Sequence, residues 1–193
     1  MRLIAAIMAL MLVAFTSPAR SGPYDTSIGL FASPDCSSCN VTIGVGETKP
    51  IYLIAVMQSE PGFALSGAEM RVEGLPGAWS AVPVPNPQAN IVLGNPFGDG
   101  AHIAFWPLPS GSCILLYTVW VTANTAVSDV TLKVVRHTTP SNPNFACPRV
   151  FIECGSCDIW LCSTGGQMFV NSDRTCNVGT DARTWTGIKY IYR

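Results

Sequence analysis

Residues 113–123 read CILLYTVWVTA, which is the longest strand-like stretch of the chain. Its side chains alternate between two sets, with Tyr117 and Val119 in one set and Thr118 and Trp120 in the other. Successive side chains of a strand point to opposite faces of a sheet, and β-branched and aromatic residues favour that conformation. The stretch therefore predicts a long strand and indicates a β fold.

Shorter apolar runs surround this stretch. Between residues 28 and 135, Gly, Pro, Asn and Asp interrupt them about every eight to twelve residues, as in sandwiches and barrels. The run 51–57 (IYLIAVM) is apolar on both faces, which is typical of a central strand covered on both sides. We expect an all-β, antiparallel β-sandwich of about seven to ten strands, with residues 51–57 and 113–123 at its centre.

Residues 67–73 (GAEMRVE) show the clearest strand alternation. The apolar positions 68, 70 and 72 share one face, and Glu69, Arg71 and Glu73 share the other. The pattern predicts a half-buried strand whose charged face lies in solvent.

The first 21 residues have the three-part pattern of a secretory signal. Arg2 precedes an apolar run at 3–15, and Ala19 and Ser21 supply the small residues that a signal peptidase reads. The alternative is a membrane anchor, but a helix of this run spans only about 20 Å of a hydrocarbon core about 30 Å thick. We expect cleavage after Ser21, no transmembrane span in the mature chain, and a location outside the cell, at its surface or in the periplasm.

The composition changes after residue 136. Residues 22–136 hold the alternating runs and predict the sandwich core. We expect residues 137–193 to form a cysteine-rich extension packed on the same domain and ending in an aromatic segment at 184–193 (TWTGIKYIYR). The proline-rich stretch 138–148 predicts an irregular connection.

The mature chain contains an even number of cysteines, which in an exported protein indicates disulfide bonds. We expect those from 147 to 176 to pair mainly among themselves. Two C-x-x-C pairs also fit a zinc site, but they lie far apart, and an oxidising compartment competes for their thiols. The disulfide candidates are Cys36, Cys39, Cys113, Cys147, Cys154, Cys157, Cys162 and Cys176.

The charge balance excludes one class of partner. The chain has 11 basic and 12 acidic residues, and no cluster of basic residues could hold a phosphate backbone. Nucleic acid is therefore not expected as a partner. Charged residues make up only 12% of the chain and apolar ones 48%, which excludes a largely disordered protein.

The search for chemistry assigns no catalytic, cofactor-binding or metal-binding residue. His102 and His137 are the two histidines, and no G-x-S-x-G motif identifies a nucleophilic serine beside them. Trp79, Trp106 and Trp120 are candidates for a platform on which a ligand such as a sugar stacks, although filling the core or its edges is the commoner role of such residues.

The central motifs resemble those of a known group of domains. Residues 51–57, 65–75 (LSGAEMRVEGL) and 114–123 (ILLYTVWVTA) are similar to strands of cohesin-like and carbohydrate-binding-module-like sandwiches, which are immunoglobulin-like in architecture. The chain also resembles uncharacterised secreted proteins of environmental bacteria, through residues 137–148 (HTTPSNPNFACP) and 185–192 (WTGIKYIY). These resemblances imply a β-sandwich and bring no assigned activity. The cysteine-rich extension departs from cohesins.

Two functions remain open. The first is a non-catalytic binding or structural module, outside the cell or on its surface, that recognises a glycan or another extracellular protein. The second is a secreted hydrolase that uses either Glu and Asp side chains or a serine with His102 or His137. A histidine within about 3.2 Å of a serine hydroxyl favours the hydrolase, whereas a flat sheet face bearing Trp and Tyr favours the binding module.

Overall fold

The computed structural model describes residues 26–57, 63–155 and 158–174. The predicted signal peptide and the aromatic segment 184–193 lie outside these residues. Within them the chain is all-β, and no helix is long and apolar enough to cross a membrane.

Thirteen strands are formed by the described residues. In chain order they are β1 (Ser27–Phe31), β2 (Asn40–Val41), β3 (Thr48–Val56), β4 (Ala64–Glu73), β5 (Ser80–Pro85), β6 (Ala89–Asn95), β7 (Gly100–Phe105), β8 (Cys113–Thr122), β9 (Val130–Val135), β10 (Arg149–Glu153), β11 (Asp158–Cys162), β12 (Thr164–Gly165) and β13 (Gln167–Val170).

The first sheet contains the two strands predicted to be central. Its order is β12-β1-β3-β8-β5, so β3 and β8 are neighbours in its interior. They pair antiparallel along their length, for example Ile51 with Val119 and Leu53 with Tyr117. The predicted central position of residues 51–57 and 113–123 is confirmed.

The second sheet is built around β4. β7 pairs with residues 67–70 of β4 and carries β6 on its far side, while β10 pairs with residues 64–69 and carries β11. β9 pairs with residues 71–73 of β4 and leads to β13 and β2. The sheet therefore has β6 as a long edge strand.

The core fills the space between the two sheets. Ile51, Leu53 and Val119 come from the first sheet, and Met70 and Leu132 come from the second; all five are fully buried. The predicted inward face of β4 is confirmed, because its positions 68, 70 and 72 all belong to this core. The chain is a β-sandwich, as the sequence predicted, and its strand pairs are antiparallel except for β1 with β12 and β13 with β2.

Some strands differ from the prediction. The sequence did not predict β5, because Pro83 and Pro85 interrupt its apolar pattern. The two prolines are tolerated because β5 is at the edge of the first sheet, where no further strand requires their missing N–H groups. Residues 149–170 contribute β10 to β13, which raises the number of strands above the predicted seven to ten. β10 lies between β4 and β11, so the cysteine-rich segment forms part of the second sheet.

The disulfides lie in the sandwich body as well as in the cysteine-rich segment. Cys36, in the loop after β1, is bonded to Cys113 at the start of β8, and Cys147 is bonded to Cys162. Cys39 and Cys154 are also disulfide-bonded, and none of the described cysteines is free. The bond between Cys147 and Cys162 agrees with the expected pairing among the later cysteines.

Candidate functional site

The outer face of the first sheet carries a continuous set of uncharged side chains. Strand register places Val82 beside Trp120 and Trp120 beside Pro50, and the next row runs from Val84 through position 118 to Tyr52. These positions alternate with buried residues on β3 and β8 and with partly buried ones on β5, and therefore point away from the core. We call this surface the uncharged face, and it consists of Phe31, Thr48, Pro50, Tyr52, Ser80, Val82, Val84, Thr118, Trp120 and Thr122.

Several large apolar side chains of this face are exposed to solvent. Val82 is 58% exposed, Val84 46% and Trp120 44%, and Tyr52 and Pro50 are half-buried beside them. At one end of the face, the hydroxyls of Thr48 and Thr122 are joined by a 2.8 Å hydrogen bond. The surface is a sheet face bearing Trp and Tyr, which was the feature expected of a binding module.

The uncharged face contrasts with the outer face of the second sheet. There, Glu69, Arg71 and Glu73 of β4 lie beside His102 of β7 and Arg149 of β10. In the uncharged face, by contrast, the outward positions of β3, β5 and β8 carry no charged side chain. Sequence reasoning missed this surface, because it interpreted the doubly apolar run 51–57 as covered on both sides.

The three tryptophans proposed for ligand stacking occupy separate environments. Trp79 is only 5% exposed and its indole N–H donates a 2.9 Å hydrogen bond to the carbonyl of Thr125, so it fills the core. Trp106 is 71% exposed at the end of β7. Trp120 lies in the uncharged face, and its strand neighbours there are Val82 and Pro50.

A buried ionic cluster lies on the outer face of the second sheet. Glu69 and Arg149 face each other across β4 and β10, form an ion pair, and are each about 1% exposed. Glu69 Oε2 also accepts a 2.8 Å hydrogen bond from the Ser141 hydroxyl and lies 3.2 Å from His102 Nδ1. The expectation that Glu69 lies on a solvated face is wrong.

The cause of this burial is residues 136–148, which we call the excursion. β7 pairs with one edge of β4. Val72 N–H also points to that edge, because it donates to Pro96 O in the turn between β6 and β7. β9 and β10 therefore share the other edge of β4. The chain thus leaves that edge after β9 and returns to it at β10. In between it crosses the outer face, where Thr138 N–H donates to Asp99 O and Phe145 lies over Arg149.

The two histidines meet under the excursion. Their ring centroids are 4.6 Å apart, and His137 is buried against Gly100. Burial, together with the neighbouring His102, lowers the pKa of His137. Burial alone would raise the pKa of Glu69, but hydrogen bonds from Ser141 and Arg149 outweigh it and lower that pKa.

The cluster does not have the geometry of a serine hydrolase. The Ser141 hydroxyl donates to the Glu69 carboxylate and accepts a hydrogen bond from Arg149. A nucleophilic serine instead passes its proton to a histidine that a carboxylate orients. Here the Glu69 carboxylate, and not a histidine, accepts the hydrogen bond from the Ser141 hydroxyl.

The same residues could approach a metal ion. Glu69, His102 and His137 each offer an atom, and the three atoms lie within 4.8 Å of one another. However, Arg149 already places a positive charge on the Glu69 carboxylate. His137 Nδ1 accepts a 3.0 Å hydrogen bond from Thr139 N–H, which puts the ring proton on Nε2. These contacts favour an ion-pair network over a cation site.

Comparison with known proteins gives similar structures but no similar sequence. No family model matches the chain, and no curated protein matches it. A type I cohesin of ScaB from Pseudobacteroides cellulosolvens is 6% identical, with a TM-score of 0.49 over 78% of this chain and 94% of that one. The cohesin module of a family 33 glycoside hydrolase from Clostridium perfringens is 12% identical, with a TM-score of 0.48 over 78% and 98%.

A third similar structure is the sixth cohesin of scaffoldin B from Acetivibrio cellulolyticus, solved in complex with a Cel5 dockerin. It is 9% identical, with a TM-score of 0.47 over 77% of this chain and 99% of that one. Cohesin modules are thus among the solved structures that this chain is similar to, in line with the resemblance of the sequence motifs to cohesin-like sandwiches. The similarity concerns the fold.

Proposed function

We propose that this chain is a non-catalytic protein-binding module whose partner docks on the uncharged face. The observation that carries the proposal is the exposure of Val82, Val84 and Trp120 on a sheet face without a charged side chain. The centre of a protein–protein interface is depleted of charge and enriched in aromatic residues. Water-exposed apolar surface of this extent gains free energy when a partner covers it.

The surroundings of Trp120 favour a protein over a glycan. Its cross-strand neighbours, Val82 and Pro50, have no polar side-chain atoms. A sugar stacked on an indole also needs hydrogen-bonding groups around the ring to satisfy its hydroxyls. The nearby Thr48 and Thr122 hydroxyls are bonded to each other.

The disulfides favour a location outside the cytoplasm. Bonds such as Cys36–Cys113 and Cys147–Cys162 persist in oxidising compartments. We therefore infer an extracellular or cell-surface module, and its partner should be an extracellular protein with a complementary apolar surface.

The test uses the purified chain as bait for proteins secreted by the producing cell. A Val82→Lys bait should lose the specific partner, because the lysine places a charge on the surface that the partner desolvates. A Trp106→Lys bait is the control, since Trp106 is also exposed, at 71%, but lies at the end of β7 in the second sheet. Retention of the partner by Val82→Lys and by Trp120→Ala would contradict the proposal, as would its loss from the control alone.

A further inference from the structure

Strand β6 is an edge strand with three consecutive exposed apolar residues. Ile91 is 54% exposed, Val92 38% and Leu93 60%. Among the described residues β6 pairs with β7 alone, so its other edge presents free backbone donors and acceptors. An edge of this kind is a template for pairing with another strand.

The neighbouring edge of the sandwich is protected where β6 is not. β5 carries Pro83 and Pro85, which cannot donate to an added strand. β6 reads ANIVLGN and contains neither a proline nor a charged residue, two features that commonly block edge pairing. Its register shift lies between Ala89 and Ile91, which leaves residues 91–95 as a regular edge open to another strand.

We propose that β6 pairs antiparallel with β6 of a second copy of this chain, about a two-fold axis at Val92. This interface is separate from the uncharged face, so it stands or falls independently of the proposed function.

The apolar residues of β6 favour a second copy as the occupant. Val92 is the middle of the three consecutive exposed apolar residues 91–93, so a two-fold axis there pairs this triplet with its copy. Ile91 of each copy then lies opposite Leu93 of the other, and the two Val92 residues face each other. Pairing of identical strands places like charges together whenever a charge lies near the axis. β6 has none, and its apolar residues become each other's cross-strand neighbours.

The first test is the oligomeric state. Sedimentation of the purified chain over a concentration series should show a monomer–dimer equilibrium. Leu93→Lys should raise the dissociation constant of the dimer at least tenfold. Val82→Lys, which is 58% exposed on β5, should leave the dimer intact while removing the partner of the uncharged face. A monomer at all concentrations, or a dimer that Leu93→Lys does not weaken, would overturn the proposal.

The second test fixes the register. A two-fold axis at Val92 brings the two backbone positions within about 4.5–5.5 Å, which a disulfide can bridge. Val92→Cys should therefore give a covalent dimer on a non-reducing gel, whereas Val82→Cys should not. Equal crosslinking of both variants would show random collision and refute the register. Near-ultraviolet circular dichroism of each variant verifies that the sandwich is folded.

Discussion

At the scale of single residues, the ion pair between Glu69 and Arg149 joins two charged side chains that are both buried. Both side chains are removed from water, and the guanidinium is further enclosed by the rings of Phe145 and Trp160, at 5.0 and 4.6 Å from their centroids. Transfer of a charge out of water is costly unless a partner of opposite sign accompanies it. Each member of the pair therefore needs the other.

This dependence predicts a non-additive pair of mutations. Arg149→Met leaves the Glu69 carboxylate buried without its cation and should lower the free energy of unfolding by about 3–5 kcal/mol. The double variant Glu69→Gln/Arg149→Met removes both charges and should be less destabilised than Arg149→Met alone. Urea unfolding at pH 7 measures both. A double variant at least as unstable as the single one would show that the charge itself is unimportant.

His137 and Glu69 together predict loss of stability in acid. The pKa of His137 is below its usual 6.5, so the unfolded chain takes up a proton first as the pH falls. Stability should therefore decrease from about pH 6.5 downward, until the folded state also protonates. Glu69, with its pKa below 4.5, adds a further loss as the pH falls below that value.

Unfolding midpoints at pH 8, 6.5 and 5 measure the effect of His137. Replacement His137→Asn removes the titrating group and should flatten the profile between pH 8 and pH 5. An unchanged slope in this variant would assign the pH dependence to another group.

At the scale of elements, periodicity identifies strands well where one face is buried. Residues 67–73 were predicted as a strand and lie within β4. Alternation says which side chains share a face but not what covers that face. For this reason the sequence could not foresee that the excursion buries Glu69, or that the outward side of residues 51–57 stays partly exposed. Register, which arises only when strands pair, brings Val82, Trp120 and Pro50 into one row.

The end of β4 depends on a glycine. Gly74 has a φ of 94°, and a Cβ there would lie 2.1 Å from the carbonyl oxygen of Thr131, at the pairing of β4 with β9. Gly74→Ala should lower stability by at least about 1–3 kcal/mol, the typical strain of such a backbone, with the clash in addition.

Gly77 provides the matched control for this change. It follows Gly74 by three positions, and a Cβ there meets nothing within 4 Å. Gly77→Ala should thus leave the urea midpoint nearly unchanged. Equal midpoints for the two variants would show that the end of β4 relaxes without cost.

At the scale of the whole molecule, the sandwich is closed by covalent bonds between distant segments. Cysteine spacing indicates a disulfide framework but not its pairing, because the pairing depends on which loops the sheets bring together. Here Cys36 follows β1 and Cys113 begins β8, so the bond joins two strands that β3 separates in the first sheet. Cys147 and Cys162 meet where β10 pairs with β11, at the base of the excursion.

The two bonds should contribute unequally to stability. A disulfide restricts the unfolded chain, and the entropy it removes grows with the length of the loop that it closes. The separations are 77 residues for Cys36–Cys113 and 15 for Cys147–Cys162, which correspond to contributions of about 4.5 and about 3 kcal/mol. Cys36→Ser/Cys113→Ser should therefore unfold at a lower urea concentration than Cys147→Ser/Cys162→Ser. The reverse order would mean that the shorter bond acts mainly in the folded state, by holding the excursion over Glu69.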